Sequence, residues 1–335
     1  MACVSSAATP DPFGQPLMTK LSLCFALTLF AASVAPSQTR TPQKLWSPPA
    51  IPPEKGYFVE EIRGGIYWVT DGLYNTMFVV WSNGVVAIDP LPNLGERYLK
   101  AIRGVTDKPI THVIYSHEHT DHIGAAYLFP KDAVYIAQEQ TAQILRRRQD
   151  PRRPIPTQTF DQSYRLNVGD QSLVLDYKGI NHELGNVFIY APKQKVLMLV
   201  DVIYPGWMAY KNLGIAEDVP GYIEAHREAL SYDFDVLVAG HVDRLGSRQD
   251  VLESLKFVSD LKAVVLAETR SLNFPAYLRA NANAKHRWDR HNDYEQEVVN
   301  RCYRELYPKW NTRLRGTETY LRDNCWAMLE SLAVQ

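Results

Sequence analysis

Net charge is almost absent from this sequence: 36 basic residues stand against 37 acidic ones over 335 positions, leaving a formal charge of -1. No basic field is available to gather nucleic acid or an anionic membrane, so a small-molecule substrate is the expected partner and nucleic acid is not. Membrane-length hydrophobic stretches are also missing, because the apolar run from Leu21 to Phe30 falls short of a bilayer. Cysteine is scarce, with four residues at positions 3, 24, 302 and 325. What remains is ordinary: 46% apolar and 22% charged residues with 21 prolines spread along the chain, the composition of a globular protein.

The N-terminus reads as an address. From Met18, the stretch MTKLSLCFALTLFAASVAPSQT gives one lysine, an apolar run and then small residues, a secretory signal pattern over 18–37. The mature chain would begin between Ser33 and Thr39, in the periplasm or outside the cell, with no stable membrane insertion after cleavage. Residues 1–17 carry no pattern and are read as a possible upstream extension. Lipidation at Cys24 is disfavoured because Leu23, not a small residue, precedes it. Losing this segment leaves Cys302 and Cys325 as the only thiols. Each sits on a helical stripe, Val298, Cys302 and Leu306 on one and Leu321, Cys325 and Leu329 on the other. A disulfide in an oxidising compartment and two separate buried thiols are both open.

The segment 38–56, ending SPPAIPPEKG, is a proline-rich lead-in without regular structure. Strand-like runs follow: YFVEEI, IYWVT, then MFVVW and VVAID around the turn signal Asn83-Gly84. A helix is expected from Leu94 to Arg103, and the β-branched run THVIYS reads as a buried strand that ends at His117. Later come AVYIA, a helix from Gln138 to Arg148, SLVLDY, NVFIYA, KVLMLV, a helix from Tyr222 to Leu230, and DVLVAG. Runs of strands with helices between them predict an α/β arrangement of sheets covered by helices. The chain divides into a domain over 57–250 and a helical, aromatic-rich extension over 251–335.

The stretch SHEHTDHIGAA, residues 116 to 126, sets His117, His119, Asp121 and His122 at the end of the buried strand. Histidine and carboxylate one or two residues apart at such a turn can aim several ligand atoms into one small space. The rival is a surface histidine cluster or a helix cap, with Thr120 and Asp121 capping a helix that begins near Ile123. Three further candidates stand where strands should end: His182 in NHELGN, Asp201 after KVLMLV, and His241 after DVLVAG. A metal site accounts for all of them together.

These residues closely resemble the metallo-β-lactamase superfamily over roughly residues 57 to 250. HEHTDH fits its signature, and the later candidates follow in its order and approximate spacing. The resemblance implies a four-layer αββα sandwich with two metal ions in the cleft between its sheets. It implies His117, His119 and His182 on the first metal, Asp121, His122 and His241 on the second, and Asp201 between them. NHELGN stands where the family more commonly has Gly-His-Thr-Pro-Gly, so that loop should differ in shape. Many zinc β-lactamases carry a cysteine at the bridging position and a lysine three residues later; Asp201 and Tyr204 stand here instead. Aspartate followed by tyrosine at that spacing resembles the acyl-homoserine lactone lactonases, where the hydroxyl stands beside the substrate carbonyl. Tyr204 is otherwise a strand-end aromatic before a Pro205-Gly206 turn.

Two cations a few ångströms apart would bring the pKa of a shared water near neutrality, and Asp121 beside it would orient it. Imidazole-rich ligation suits two Zn2+ per chain, with iron, manganese and cobalt left open. The expected activity is hydrolysis of a lactone or linear ester by a metal-bridging hydroxide, with Asp121 and Tyr204 as the catalytic side chains. β-Lactam hydrolysis is the alternative, and a non-enzymatic metal-binding protein is the alternative of another class. Among the remaining residues, Asp89 is expected either to orient a metal-bound histidine or to cap a turn. Glu118 should point away from the histidines, either supporting them from behind or in solvent, and the arginines at 146, 147, 148, 152 and 153 should form a solvated helix end, with a rim that attracts an anionic substrate as the alternative. His112 is expected to be buried and hydrogen-bonded, while His226, His286 and His291 receive no role. Trp68, Tyr74, Trp207, Met208 and Tyr210 are candidates for pocket walls. The oligomeric state is not readable from the sequence.

Overall fold

The structure is a computed structural model, and it describes residues 47–282 and 286–334. The expected signal segment, the possible upstream extension and the lead-in as far as residue 46 lie outside the described residues. Twelve strands form two sheets among the described residues. The first runs β1 (Phe58–Arg63), β2 (Ile66–Thr70), β3 (Asn75–Trp81), β4 (Gly84–Ile88), β5 (Ile110–Ile114), β6 (Val134–Gln138) and β7 (Gln158–Phe160), in that spatial order. Its first four strands pair antiparallel, and β4 to β7 pair parallel. The second sheet has the order β12 (Val236–Ala239), β11 (Val196–Leu199), β10 (Phe188–Ala191), β9 (Gln171–Asp176), β8 (Ser163–Val168), with only β11 and β12 parallel.

Alternation along each strand builds the layers, since successive side chains point to opposite faces. In β4, Val86 and Ile88 face the other sheet, where they meet Met198 and Val238. Val85 and Ala87 face outward, in the cluster that holds Tyr98, Ala101 and Ile102 of α1 (Glu96–Arg103) and Leu145 of α3 (Glu139–Arg148). In β11, Val196 and Met198 point inward while Leu197 and Leu199 point outward, toward Tyr222 and Ala225 of α5 (Val219–Ser231). The result is the four-layer αββα sandwich.

Several local expectations shift. Helix α1 starts at Glu96 because Gly95 before it has φ 53 and cannot continue a helix backward. The helical turn in the histidine stretch is α2 (Thr120–Ile123), with His119 at its N-cap, so Thr120 and Asp121 lie inside the turn and do not cap it. Strands β7 and β8 were not anticipated.

The C-terminal region is helical as expected: α6 (Arg248–Leu272), α7 (Phe274–Ala280), α8 (Arg287–Trp310) and α9 (Thr317–Ala333). Helix α6 opens with a capping box between Ser247 and Asp250, so position 250 falls in its first turn. Phe257 and Leu261 of α6, Leu306 of α8 and Leu321 of α9 share one hydrophobic cluster with the outer face of the second sheet. Cys302 and Cys325 form a disulfide between α8 and α9, with Cα atoms 6.2 Å apart, which decides between the two readings of the thiols. Among the described residues no helix is long and apolar enough to cross a membrane.

Candidate metal centre

Parallel pairing puts strand ends on one rim. Asp89 and His117 follow the ends of β4 and β5, and Asp201 and His241 follow the ends of β11 and β12. Asn75 at the start of β3 ties the two sheets together there. Its backbone N–H donates to Gly240 O at 2.9 Å, and its side-chain amide donates to the carbonyls of His241 at 3.0 Å and Val242 at 2.8 Å. Gly240 must lack a side chain, since a Cβ there would stand 2.5 Å from Val200 Cγ1 and 2.9 Å from His122 Cε1. The loop holding His182 is pinned by its own asparagines. Asn181 Oδ1 accepts from His182 N at 2.6 Å and from Asn186 Nδ2 at 2.9 Å, and Asn186 also donates to Val200 O.

All seven expected ligands come together. His117, His119, His182 and Asp201 place one ligand atom each within 4.8 Å of one another, and Asp121, His122 and His241 form a second such group. Asp201 touches both: its Oδ2 lies 3.3 Å from His182 Nε2 and 3.1 Å from His122 Nε2, and its Oδ1 lies 3.0 Å from His241 Nε2. In the first group His182 Nε2 stands 3.1 Å from His119 Nδ1, and in the second the Nε2 atoms of His122 and His241 are 3.2 Å apart. Histidine nitrogens brought face to face at such distances are placed to share a cation. His117 Nε2 is buried and makes no hydrogen bond, its nearest carboxylate oxygen lying 3.6 Å away. A buried imidazole nitrogen left open toward other donors fits a metal ligand.

Behind this layer two of the histidines, His117 and His119, are aimed by further partners. Asp89, fully buried with φ 40, accepts from Ser116 N at 2.7 Å and Ser116 Oγ at 2.6 Å. Ser116 Oγ lies 2.8 Å from His117 Nδ1, so Asp89 acts on His117 through the serine. Glu183, which the sequence reading passed over, sets Oε2 at 2.8 Å from His119 Nε2 and accepts from Glu118 N through Oε1 at 2.9 Å. The signal for it was present, as the residue directly after His182 in NHELGN.

The arginines at 146, 147, 148 and 152 are exposed as expected, whereas Arg153 is buried, and Glu118 takes the place behind the histidines and not the solvent. Glu118 is buried, 2.8 Å from Arg148 and 2.9 Å from Arg153, and Arg153 is itself buried and also bonded to Asp150. A glutamate forced under the metal rim by its histidine neighbours recruits two guanidinium groups to offset its desolvation. His112 is half-buried with Nδ1 2.9 Å from Thr111 Oγ1. His226 is fully buried, while His286 caps α8 and His291 pairs with Glu295.

Burial and crowding set opposite protonation tendencies in the cluster. Burial and the neighbouring imidazoles hold His117 well below the ordinary histidine range, and burial lowers His182 to about 4. Burial also opposes charge on His122, but Asp201, Asp121 and Asp89 outweigh it and raise the imidazole to about 9. Asp201 is disfavoured by burial yet ringed by His122, His241 and His182, which keep it well below the usual carboxylate range.

The cluster opens into a cleft of about 490 Å³. Tyr74, Trp207, Met208 and Tyr210 line it; Trp68 does not, being buried in the core with Nε1 donating to Asn75 Oδ1. Tyr204 lines it too, nearly buried, with its hydroxyl only 3.4 Å from Asp201 O, long for an O–H···O bond. Burial keeps that phenol well above its ordinary pKa, hence protonated. Tyr74 packs its ring 4.4 Å from that of His241 and sets its hydroxyl 3.4 Å from Asp121 Oδ2.

Comparison with known proteins agrees with this architecture. The profile of the metallo-beta-lactamase superfamily matches residues 69–266, more than half of the chain, and the protein belongs to that superfamily as a metal-dependent hydrolase. It is 30% identical over 203 residues to the 2,4-dinitroanisole O-demethylase subunit alpha of Nocardioides sp. (strain JS1661), a match covering 58% of this chain and 61% of that protein. The match therefore spans less than two thirds of that relative's length. Among solved structures, the metallo-beta-lactamase from Pontibacter korlensis aligns with a TM-score of 0.52 at 21% identity, covering 61% of this chain and 99% of the other. Metallo-beta-lactamase IND-7 aligns with a TM-score of 0.53 at 18% identity, covering 61% and 98%. At these identities the likeness is one of fold.

Proposed function

We propose that the protein is an exported dinuclear zinc hydrolase that cleaves a lactone or linear ester of a small molecule. The observation that carries the reading is the convergence of two ligand groups on one carboxylate, Asp201, which touches histidines of both. His117, His119 and His182 would hold one zinc, Asp121, His122 and His241 the other, and Asp201 would be shared. Zinc bound there supplies a water acidified to near neutrality and polarises the scissile carbonyl. Asp121, with its side chain half-open to the cleft, orients that water. In the overall balance, the water oxygen bonds to the carbonyl carbon and the C–O bond breaks. The departing oxygen takes a proton, giving acid and alcohol. Tyr204, protonated and weakly bonded at the cleft wall, donates its hydrogen bond to the developing oxyanion.

Export is supported by the signal pattern over 18–37 and by the Cys302–Cys325 bond, which suits an oxidising compartment. The demethylase relative favours a second substrate for the same site. Water added to an electron-poor aromatic carbon would expel methoxide, which leaves as methanol without any redox partner.

The test is a turnover panel on zinc-loaded protein: a lactone, an aryl ester, a carbapenem and 2,4-dinitroanisole, each with wild type and Tyr204→Phe. Lactone or ester cleavage is expected, with kcat falling about a hundredfold in the variant, the scale of a lost oxyanion donor. Unchanged kcat would remove the tyrosine's role, and cleavage of the carbapenem alone would overturn the substrate. N-terminal sequencing of secreted protein should begin between Ser33 and Thr39; a chain that retains Met18 would argue against export by this signal.

A further inference from the structure

Where the cleft leaves the metal rim its wall changes owner. The segment after Tyr204 crosses beneath the C-terminal helices and is fastened to them by backbone bonds: Arg315 N donates to Gly206 O at 3.0 Å, and Met208 N to Arg315 O at 2.9 Å. Asn324 of α9, fully buried, donates to Ala209 O at 2.9 Å and accepts from Leu213 N at 2.7 Å. These anchors hold α4 (Lys211–Ile215), a single turn in which Asn212, Leu213, Gly214 and Ile215 all have positive φ, from 52 to 71. Leucine and β-branched isoleucine avoid that region, so the turn persists only because its surroundings impose it. Gly214 is required by space as well, since a Cβ would stand 2.7 Å from the Tyr204 hydroxyl.

This fastening places an apolar surface at the mouth. Tyr210 and Tyr320 of α9 pack with ring centroids 5.4 Å apart, and Leu73 and Ile215 complete the rim at 59% and 58% exposure. Large apolar side chains left this open around a concave site mark a binding surface. The second feature is a missing charge. No lysine or arginine is among the described residues that line the cleft. Arg315, which lies alongside, is occupied by Asp243 at 2.8 and 2.9 Å and stacks over Trp207 at 4.6 Å. The ionisable lining groups away from the metal ligands are the Asp243 carboxylate and phenols.

We propose that the C-terminal helices make this cleft selective for an uncharged substrate with a flat aromatic group, which lies against Tyr210 and Tyr320 while its reacting carbon faces the histidines. The proposal rests on the hydrolase reading for the orientation of the substrate only. A carboxylate at the far end of a ligand would meet the apolar rim and Asp243, whose own cation, Arg315, is already engaged through both of its bonds, and its desolvation would go uncompensated.

The test is calorimetric binding of a pair of amides to the zinc-loaded protein: N-(2-naphthyl)acetamide and its 6-carboxylate. The uncharged amide should bind at least about tenfold tighter. Tyr320→Ala should weaken it about tenfold and Tyr320→Phe less than about twofold, as expected for loss and retention of one aromatic contact. Leu73→Arg, at the exposed rim, should bring the carboxylate to within about threefold of the uncharged amide by supplying the missing cation. Thermal unfolding and zinc content identify a variant that has misfolded, and the wild-type pair alone decides the charge preference. Equal or tighter binding of the carboxylate to wild type would overturn the proposal, as would unchanged affinities in folded Tyr320→Ala. Chromatography after each titration checks that both amides are recovered intact, and binding is read without turnover, so these outcomes are separate from a failure of ester hydrolysis.

Discussion

Glu183 shows what a single residue adds to the centre. With Oε2 2.8 Å from His119 Nε2, it accepts the proton on that nitrogen and leaves Nδ1 open toward His182. A carboxylate behind a ligand histidine fixes the ring's tautomer and raises its basicity, and its loss weakens metal binding about tenfold to a hundredfold. Glu183→Gln keeps the shape and removes the charge. Zinc affinity measured against a competing chelator should fall by about tenfold, and an unchanged affinity would reduce Glu183 to a packing group. At this scale the sequence is uneven. The candidate ligands are legible because HEHTDH concentrates three of the histidines and Asp121 within six positions, and the others stand where apolar runs stop. Glu118, Glu183 and Arg153 are not, because their meaning lies in pairing across 65 and 35 positions of the chain. No local pattern carries that information.

Among the elements, the central strands are legible as β-branched apolar runs, whereas β7 and β8 were missed. Both are edge strands, one on each sheet, and β8 leaves Ser163, Arg165 and Asn167 facing solvent. With one neighbour and one wet face, a strand needs few apolar residues and leaves a faint signal. His226 shows the same limit in a helix. Its surroundings in α5 read as polar, but α6 packs over it and buries it fully. Its Nδ1–H donates to Tyr222 O at 2.8 Å, which leaves Nε2 to accept from Ser254 Oγ at 2.9 Å, so the ring is held neutral. Burial lowers its pKa from 6.5 to about 4. Between those values the unfolded chain takes up a proton that the folded one refuses, so stability falls as the pH drops from 6.5 toward 4 and is full above that window. The loss attributable to this ring is on the order of 3 kcal/mol. Urea unfolding of metal-stripped wild type and His226→Gln from pH 4 to 7 should give curves that converge toward low pH. Parallel curves would mean that the ring is not held neutral.

On the scale of the whole molecule, the sandwich and the C-terminal helices are one body. Leu197 and Leu237 of the second sheet share a cluster with Leu306 and Leu321, and the disulfide closes the turn between α8 and α9. A cross-link spanning 23 positions removes unfolded-state freedom worth about 3 kcal/mol in the chain-entropy model. The helices were legible in the sequence as an extension, but their place was not. Only the folded chain brings Tyr320 and Asn324 against the loop that leaves Asp201, so a region distant in sequence supplies part of the cleft wall. The central claim is that this body is built around two metals shared by Asp201. Zinc titration of metal-stripped protein, read by native mass spectrometry, tests it most directly. Wild type should saturate at two zinc ions per chain, and Asp121→Ala and His241→Ala at one each. Wild type saturating at a single zinc under excess metal would contradict the account.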